Sequence, residues 1–270
     1  MTSSVCESPV TTHRAMWQLG DYPAYADEVL APLGQILPTV SGIGPGDQVL
    51  DVAAGTGNAS IPAAVAGAHV TAIDLTPELL QHAQLRAAEQ GLRLSWREAN
   101  AEALPFRAGE FDAVLSSIGA MFAPRQQRTA DEMARVCRRG GKISVLSWTP
   151  DGFYGRLLSA VRPFRPTMHP RAPHEAWWGC PRYISVLFGD HVSDIRTRTG
   201  ALRVDRFDSP EACRDYFKTH YGPVVNAYRQ IAGDPACVAA LDAELAELCA
   251  EYLSGGVMRW EYLIFTARKR

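Results

Sequence analysis

The stretch Val49-Leu50-Asp51-Val52-Ala53-Ala54-Gly55-Thr56-Gly57-Asn58 decides how this chain folds. An apolar run ends in two glycines spaced by one residue and leads into a helical pattern. At such a turn the backbone can approach a bound ligand, because no side chain stands in the way. A second short apolar run, Val70-Thr71-Ala72-Ile73, closes on Asp74, which lies 23 residues beyond Asp51 (74 − 51). An acid at the end of a second strand, about 20 residues past the glycine turn, sits where ribose hydroxyls can donate to it. The pair points to an adenosine-type cofactor.

The glycine pattern alone does not say which one. A dinucleotide fingerprint places a third glycine or alanine three positions after the second, seating a pyrophosphate at a helix N-terminus. Here that position is Ser60. Asp51, ahead of the turn, would also repel a diphosphate and suits a cationic ligand. A nicotinamide-dependent oxidoreductase stands as the alternative enzyme, and a cofactor-binding protein without catalysis as the alternative from another class.

Working outward, residues 2–12 are small and polar and are expected to be disordered. Residues 17–40 carry Tyr25, Val29, Leu33 and Leu37 at helical spacing, broken by Pro32, so one or two helices should lie over the sheet. Strands are expected at 48–52, 92–98, 112–117 and 142–148, besides the one ending at Asp74. A short helix is expected at 59–66, and one at 125–138 stopped by Gly140-Gly141. Thr76-Pro77-Glu78 reads as a helix start, with Thr76 capping, proline at the first helical position and an acid complementing the dipole; Gly91 ends that helix. Alternation of strand and helix implies right-handed crossovers and a mostly parallel, doubly wound Rossmann-like sheet with ligands at the carboxyl ends of its strands.

The character changes after Trp148. Pro163, Pro166, Pro170, Pro173 and Pro181 crowd a segment that also holds Trp177 and Trp178. Strands at 201–207 and 257–267 flank helices near 210–220 and 234–253, the latter with Leu241, Leu245, Leu248 and Tyr252 on one stripe. The chain divides at about residue 150: N-terminal helices and cofactor core over 1–150, then lid insertions over 151–270 with the last strands of the same sheet.

Five ordered motifs now define a resemblance: Asp51-Val-Ala-Ala-Gly-Thr-Gly-Asn58, Ala72-Ile-Asp-Leu-Thr-Pro77, Asn100-Ala-Glu-Ala-Leu-Pro-Phe106, Phe111-Asp-Ala-Val-Leu-Ser116 and Arg135-Val-Cys-Arg-Arg-Gly-Gly-Lys142. In this order the chain resembles the class I S-adenosylmethionine-dependent methyltransferases. Its flanks resemble an actinobacterial small-molecule branch related to the ubiquinone/menaquinone enzymes. The resemblance implies a seven-stranded sheet with an antiparallel closing strand, S-adenosylmethionine as cofactor and S-adenosylhomocysteine as product. It places the backbone of Ala53, Gly55 and Gly57 against the methionine half of the cofactor, with Asp51 near its ammonium group. Asp74 would accept from the ribose diol, Leu75 and Ala101 would flank the adenine, and Ser116 and Ser117 would lie where the methyl group emerges. Asn100 stands where the family usually has an acid for the adenine amino group, so that contact is expected to be rearranged. Glu102 reads equally as a contact or as a structural acid at a helix start.

Transfer of a sulphonium methyl group is a single in-line displacement, which asks the protein for alignment and exclusion of water. A general base is needed only if the acceptor arrives protonated. Tyr22, Tyr216 and His220 are the catalytic candidates. Trp17 and Tyr22 would form a flap over the cofactor, and the lid rings Trp177, Trp178, Tyr183, Tyr216, Tyr221 and Tyr228 suggest a flat acceptor of indole, quinone or phenol type, as in secondary metabolism.

Composition bounds the rest. Lys+Arg of 27 against Asp+Glu of 29, without a broad basic run, disfavours nucleic acid as a partner. Cys6, Cys137, Cys180, Cys213, Cys237 and Cys249 form no C-x-x-C pair, and no apolar run reaches the roughly 20 residues of a membrane span, so a reduced, cytoplasmic protein is expected. His169 and His174 are the nearest thing to a metal pair, and two ligands do not make a site. No metal is expected.

Overall fold

The computed structural model describes residues 9–165 and 173–270, with side chains from residue 11 onward. One seven-stranded sheet organises the molecule, in the order β3-β2-β1-β4-β5-β7-β6. The strands are β1 (Gln48–Val52), β2 (His69–Asp74), β3 (Ser95–Glu98), β4 (Phe111–Ser117), β5 (Cys137–Trp148), β6 (Val192–Val204) and β7 (Met258–Lys269). β1 to β5 run parallel, and β7 enters antiparallel between β5 and β6. The expected α/β architecture with an antiparallel closing strand is therefore the one observed.

β1 is buried after its first residue, as a central parallel strand covered on both faces must be, which is why its sequence is nearly continuously apolar. The chain order reverses between β1 and β4. That switch point leaves a crevice at the carboxyl ends of the strands, and the segment before β1 lies over it.

Several boundaries move, each for a physical reason. The helix Pro9–Trp17 begins inside the stretch expected to be disordered, with proline at its first position, where a missing N–H costs nothing. Residues 1–8 lie outside the described ones. The helix Gln126–Val136 ends because Cys137 turns extended, and β5 starts there, so Gly140 and Gly141 fall inside the strand and do not stop the helix. β6 is longer than expected because its first half is polar and largely exposed, which hides the alternation that marks a strand. Helix Pro77–Glu89 starts where expected, but the Thr76 side chain makes no capping bond. A further helix, Gly222–Ile231, lies within the lid block.

The block expected to act as a lid is joined to the rest of the fold by its rings. Trp148 stacks on Tyr154 at 4.3 Å, and Phe153 on Trp260 at 5.2 Å. Trp178 and Tyr221, two of the rings read as an acceptor surface, are buried in this core. No helix among the described residues is long and apolar enough to cross a membrane.

Candidate functional site

The crevice at the switch point is a cavity of about 400 Å³. On its sheet side lie Asp51, Ala53, Gly55, Asp74, Leu75, Asn100, Ala101, Glu102 and Ser117. These residues come from the ends of β1, β2 and β4 and from the loop after β3, which the topology brings to one edge.

The glycine turn is shaped by left-handed backbone: Ala53, Gly55 and Gly57 have φ of 56°, 54° and 82°. Gly55 lines the cavity, and a Cβ there would come into contact with the Tyr22 ring of the opposite wall at 3.6 Å. Gly57 does not line the cavity; its place would be contested by Ile61 and Ala83, and it serves the packing of the turn on the following helix. Ile118, a cavity residue just past β4, also holds a left-handed φ of 68°. That conformation is strained for a β-branched side chain. Beside it a Cβ on Gly119 would come within 2.3 Å of the Ala53 carbonyl oxygen, so only glycine lets the two loops meet.

The acids are held differently. Asp74 Oδ2 accepts from the Gly55 N–H and Oδ1 from the Thr76 N–H, both at 2.8 Å. Burial raises its pKa and these backbone donors oppose the rise. One lone pair on each oxygen is committed to the turn, and the remaining ones are available to a ligand. Asp51 is buried, accepts from Ser60 Oγ at 2.5 Å through Oδ2, and has no partner at Oδ1 among the described residues. Burial pushes its pKa up to about 7, against the Ser60 bonds. Ser60, the missing third glycine, is thus the residue that anchors Asp51.

Glu102 is buried and accepts from the Arg125 backbone N–H at 2.6 Å and from its Nε at 2.8 Å. It ties the loop after β3 to the segment after β4, in addition to lining the cavity. Asn100 Oδ1 accepts from the Glu102 N–H at 2.9 Å, which spends part of the amide's accepting capacity locally.

Besides Gly57, three further assignments need correction. Ser116 is fully buried; its Oγ donates to the Val52 carbonyl and accepts from the Ala120 N–H, so it braces β4 against β1 and does not line the cavity. Tyr216 and His220 are stacked on each other at 4.0 Å outside the cavity. The Tyr216 hydroxyl donates to Glu28, and the His220 ring bonds the Tyr216 carbonyl. Tyr22 does line the cavity, with its hydroxyl pKa raised by burial.

On the wall facing the glycine turn, sequence reasoning offered Trp17 and Tyr22 as a flap but missed His13, Leu30 and Leu33. The wall is made by His13, Trp17, Tyr22, Leu30 and Leu33 from the N-terminal arm, with Phe122 beside them. His13 and Trp17 sit four residues apart on one helix, which places them on one face. That spacing was the available signal. No described residue of 151–270 lines the cavity. The C-terminal half instead packs on the arm: Tyr221 meets Trp17 edge-on at 6.0 Å, and a Cβ on Gly222 would strike the Met16 carbonyl oxygen at 2.4 Å. His169 lies outside the described residues, and His174 caps the turn Glu175–Gly179 by accepting from the Ala176 N–H.

Comparison with known proteins agrees with this geometry. Residues 49–141 match a family described as a methyltransferase domain. An uncharacterized protein of Mycobacterium tuberculosis is 73% identical over 263 residues, 97% of this chain and 96% of its own. The ubiquinone/menaquinone biosynthesis C-methyltransferase UbiE of Allorhizobium ampelinum is 42% identical over 109 residues, 38% of this chain and 42% of that protein. Among solved structures, the YcgJ protein of Bacillus subtilis superposes with a TM-score of 0.59 at 16% identity, covering 87% of this chain and 97% of its own.

The cavity fits the cofactor of that family. A buried carboxylate oxygen on Asp51, unpartnered among the described residues, suits an ammonium group, and Gly55 lines the cavity with no side chain to keep a ligand from its backbone. The buried Ser60 where a dinucleotide enzyme would have its third glycine agrees with this. This chain belongs to the class I S-adenosylmethionine-dependent methyltransferases, as a distant relative of UbiE.

Proposed function

We propose that this methyltransferase acts on a small, uncharged aromatic or heteroaromatic metabolite held between the arm and the glycine turn. The observation that carries this reading is the composition of the arm-side wall. Trp17, Tyr22 and Phe122 present rings, with Trp17 meeting Tyr22 at 5.4 Å and Phe122 at 4.9 Å, both edge-on. Leu30 and Leu33 extend the apolar surface. The cation on the cavity wall, Arg125, is paired with Glu102 at 2.7 Å, so an anionic acceptor would find three carboxylates and no unpaired positive charge among the described lining residues. Flat apolar sites of this kind favour rings over charged acceptors.

S-adenosylmethionine supplies an electrophilic methyl group; the chain's own residues bind and align. Asp74 would take the ribose diol on lone pairs left free by Gly55 and Thr76, and Asp51 the ammonium group. Leu75 and Ala101 would flank the adenine, and Ala53, Gly55 and Ser117, which line the same cavity, would lie along the methionine half and the emerging methyl group. Trp17 and Tyr22 would exclude water from the reacting groups. The lid, residues 151–256, would act on acceptor choice through the arm it supports.

Mass spectrometry of an indole, quinone and phenol panel incubated with protein and S-adenosylmethionine tests this. Gain of one methyl group by a ring compound is the expected result. Methylation confined to carboxylates, phosphates or aliphatic amines would refute the proposed acceptor class.

A further inference from the structure

Among the described residues His13 is the one imidazole on the cavity wall, and none of them occupies its outer nitrogen. Nε2 is buried and has no hydrogen-bond partner among the described residues. The ring also bonds the Phe122 backbone carbonyl, and with Nε2 unpartnered that bond falls to Nδ1. An N–H at Nδ1 then leaves a bare lone pair at Nε2. A buried acceptor without a donor is costly in a folded protein and calls for an occupant. Trp17 stands edge-on to the ring at 6.4 Å and lines the same cavity.

We propose that His13 is the acceptor-binding base: its Nε2 lone pair takes the hydrogen bond, and then the proton, of a methyl acceptor that bears an O–H or ring N–H. This rests on the aromatic-acceptor reading and narrows it to an oxygen or ring-nitrogen acceptor. The balance is simple. The acceptor's lone pair forms the new bond to the methyl carbon, the carbon–sulphur pair leaves with sulphur, and the acceptor's proton passes to Nε2 and from there to solvent.

The surroundings suit that task. Burial and the Arg165 guanidinium bring the His13 pKa down to about 4, with Glu175, Glu102 and the Phe122 carbonyl opposing. Arg165 and Glu175 are themselves a buried pair at 2.7 Å. The ring is therefore neutral in the resting protein and ready to accept. A weak base suffices, because the acceptor's proton becomes strongly acidic as its oxygen or nitrogen is alkylated.

The test uses the full chain, with histidine 15N-labelled and loaded with S-adenosylhomocysteine. Probes are phenol and indole, with anisole and N-methylindole as controls of like shape lacking the hydrogen. His13 should show the Nδ1–H tautomer from pH 5 to 8. Phenol or indole should shift its Nε2 resonance saturably, and the methylated controls should not. Probe affinity should fall at least tenfold in His13→Phe and recover in part in His13→Gln, while S-adenosylhomocysteine affinity in both stays within about twofold of wild type. An Nε2–H tautomer, or an Nε2 resonance that none of the probes moves or that the controls move equally, overturns the proposal. Failure of wild-type protein to bind S-adenosylhomocysteine would instead count against the cofactor site, and so separates the two readings.

Discussion

The two walls of the cavity are built by opposite means. On the sheet side, the glycine turn, Asp74 and Thr76 are locked by backbone: left-handed φ at Ala53, Gly55 and Gly57, and two N–H groups converging on one carboxylate. On the arm side, His13, Trp17 and Tyr22 are held by ring contacts and by the lid packed behind them. Backbone-built walls tolerate little change and suit a ligand that every family member shares. A wall made of side chains can be altered one residue at a time, which suits the partner that differs.

The largest expected effect breaks the sheet-side wall. Asp74→Ala removes the acceptor for Gly55 and Thr76 N–H groups as well as the proposed ribose contact. Calorimetry should find affinity for S-adenosylhomocysteine reduced by more than about 100-fold, about 3 kcal/mol, in line with loss of two charge-assisted bonds. The structure adds that stability must fall too, since both donors would be stranded in a buried turn. Unchanged cofactor affinity would show that the acid serves the turn alone.

A second test separates the two acids by pH. Asp51 binds its proton more tightly in the fold than in the unfolded chain, since its folded pKa is about 7. Its contribution to the stability of the free protein therefore declines as pH rises from about 4 to about 7 and is level above that. An ammonium partner reverses the preference by favouring the ionised form. Cofactor affinity should thus climb with pH by up to about tenfold per unit below 7 and flatten above it. In Asp51→Asn the slope should vanish. A slope that persists in that variant would assign the titration to another group.

The same contrast explains what could be read without coordinates. The sheet-side wall is legible because its demands are local: Gly55 and Gly57 answer a backbone need, and Asp74 ends its strand at a fixed distance from them. The strand order follows from the same alternation, with Ser60 and Asp51 already arguing against a pyrophosphate. The arm-side wall was harder because its members matter only in three dimensions. His13 begins where a polar, proline-containing stretch stops, and only a helix starting at Pro9 makes His13 and Trp17 neighbours. The lid misleads in the other direction. Trp178 and Tyr221 are as aromatic as any acceptor pocket, yet they are buried core, and composition cannot tell a ring facing a cavity from one facing another ring. Ser116 fails for a related reason: the strand terminus was placed correctly, but alternation along β4 sends Ser117 to the cavity and Ser116 into the sheet.

A change in the lid that acts through the arm sharpens the comparison further. Adding a methyl group in Gly222→Ala would set a Cβ within 2.4 Å of the Met16 carbonyl oxygen and about 3.4 Å of that of Leu19. The backbone must shift, at a cost of about 1–3 kcal/mol typical of overpacking. Thermal unfolding should register that loss. S-adenosylhomocysteine affinity should change by less than about threefold, because the sheet-side wall is untouched, whereas phenol or indole binding should weaken severalfold. Equal losses in both ligands would mean that the two walls are not independent.

The smallest expected effect falls where an acceptor-binding lid would place the largest. The Tyr216 hydroxyl is engaged with Glu28 at 2.8 Å, its ring is covered by His220 on one contact and by the Arg206 guanidinium at 4.6 Å on another, and none of these groups reaches the cavity. Tyr216→Phe keeps the ring and loses one partly exposed hydrogen bond, worth about 0.5–1.5 kcal/mol at most. Melting temperature, cofactor affinity and probe binding should all stay close to wild type. A drop of more than tenfold in phenol or indole binding would place the acceptor against the lid, and would take the arm-side wall of His13, Trp17 and Tyr22 out of the reaction.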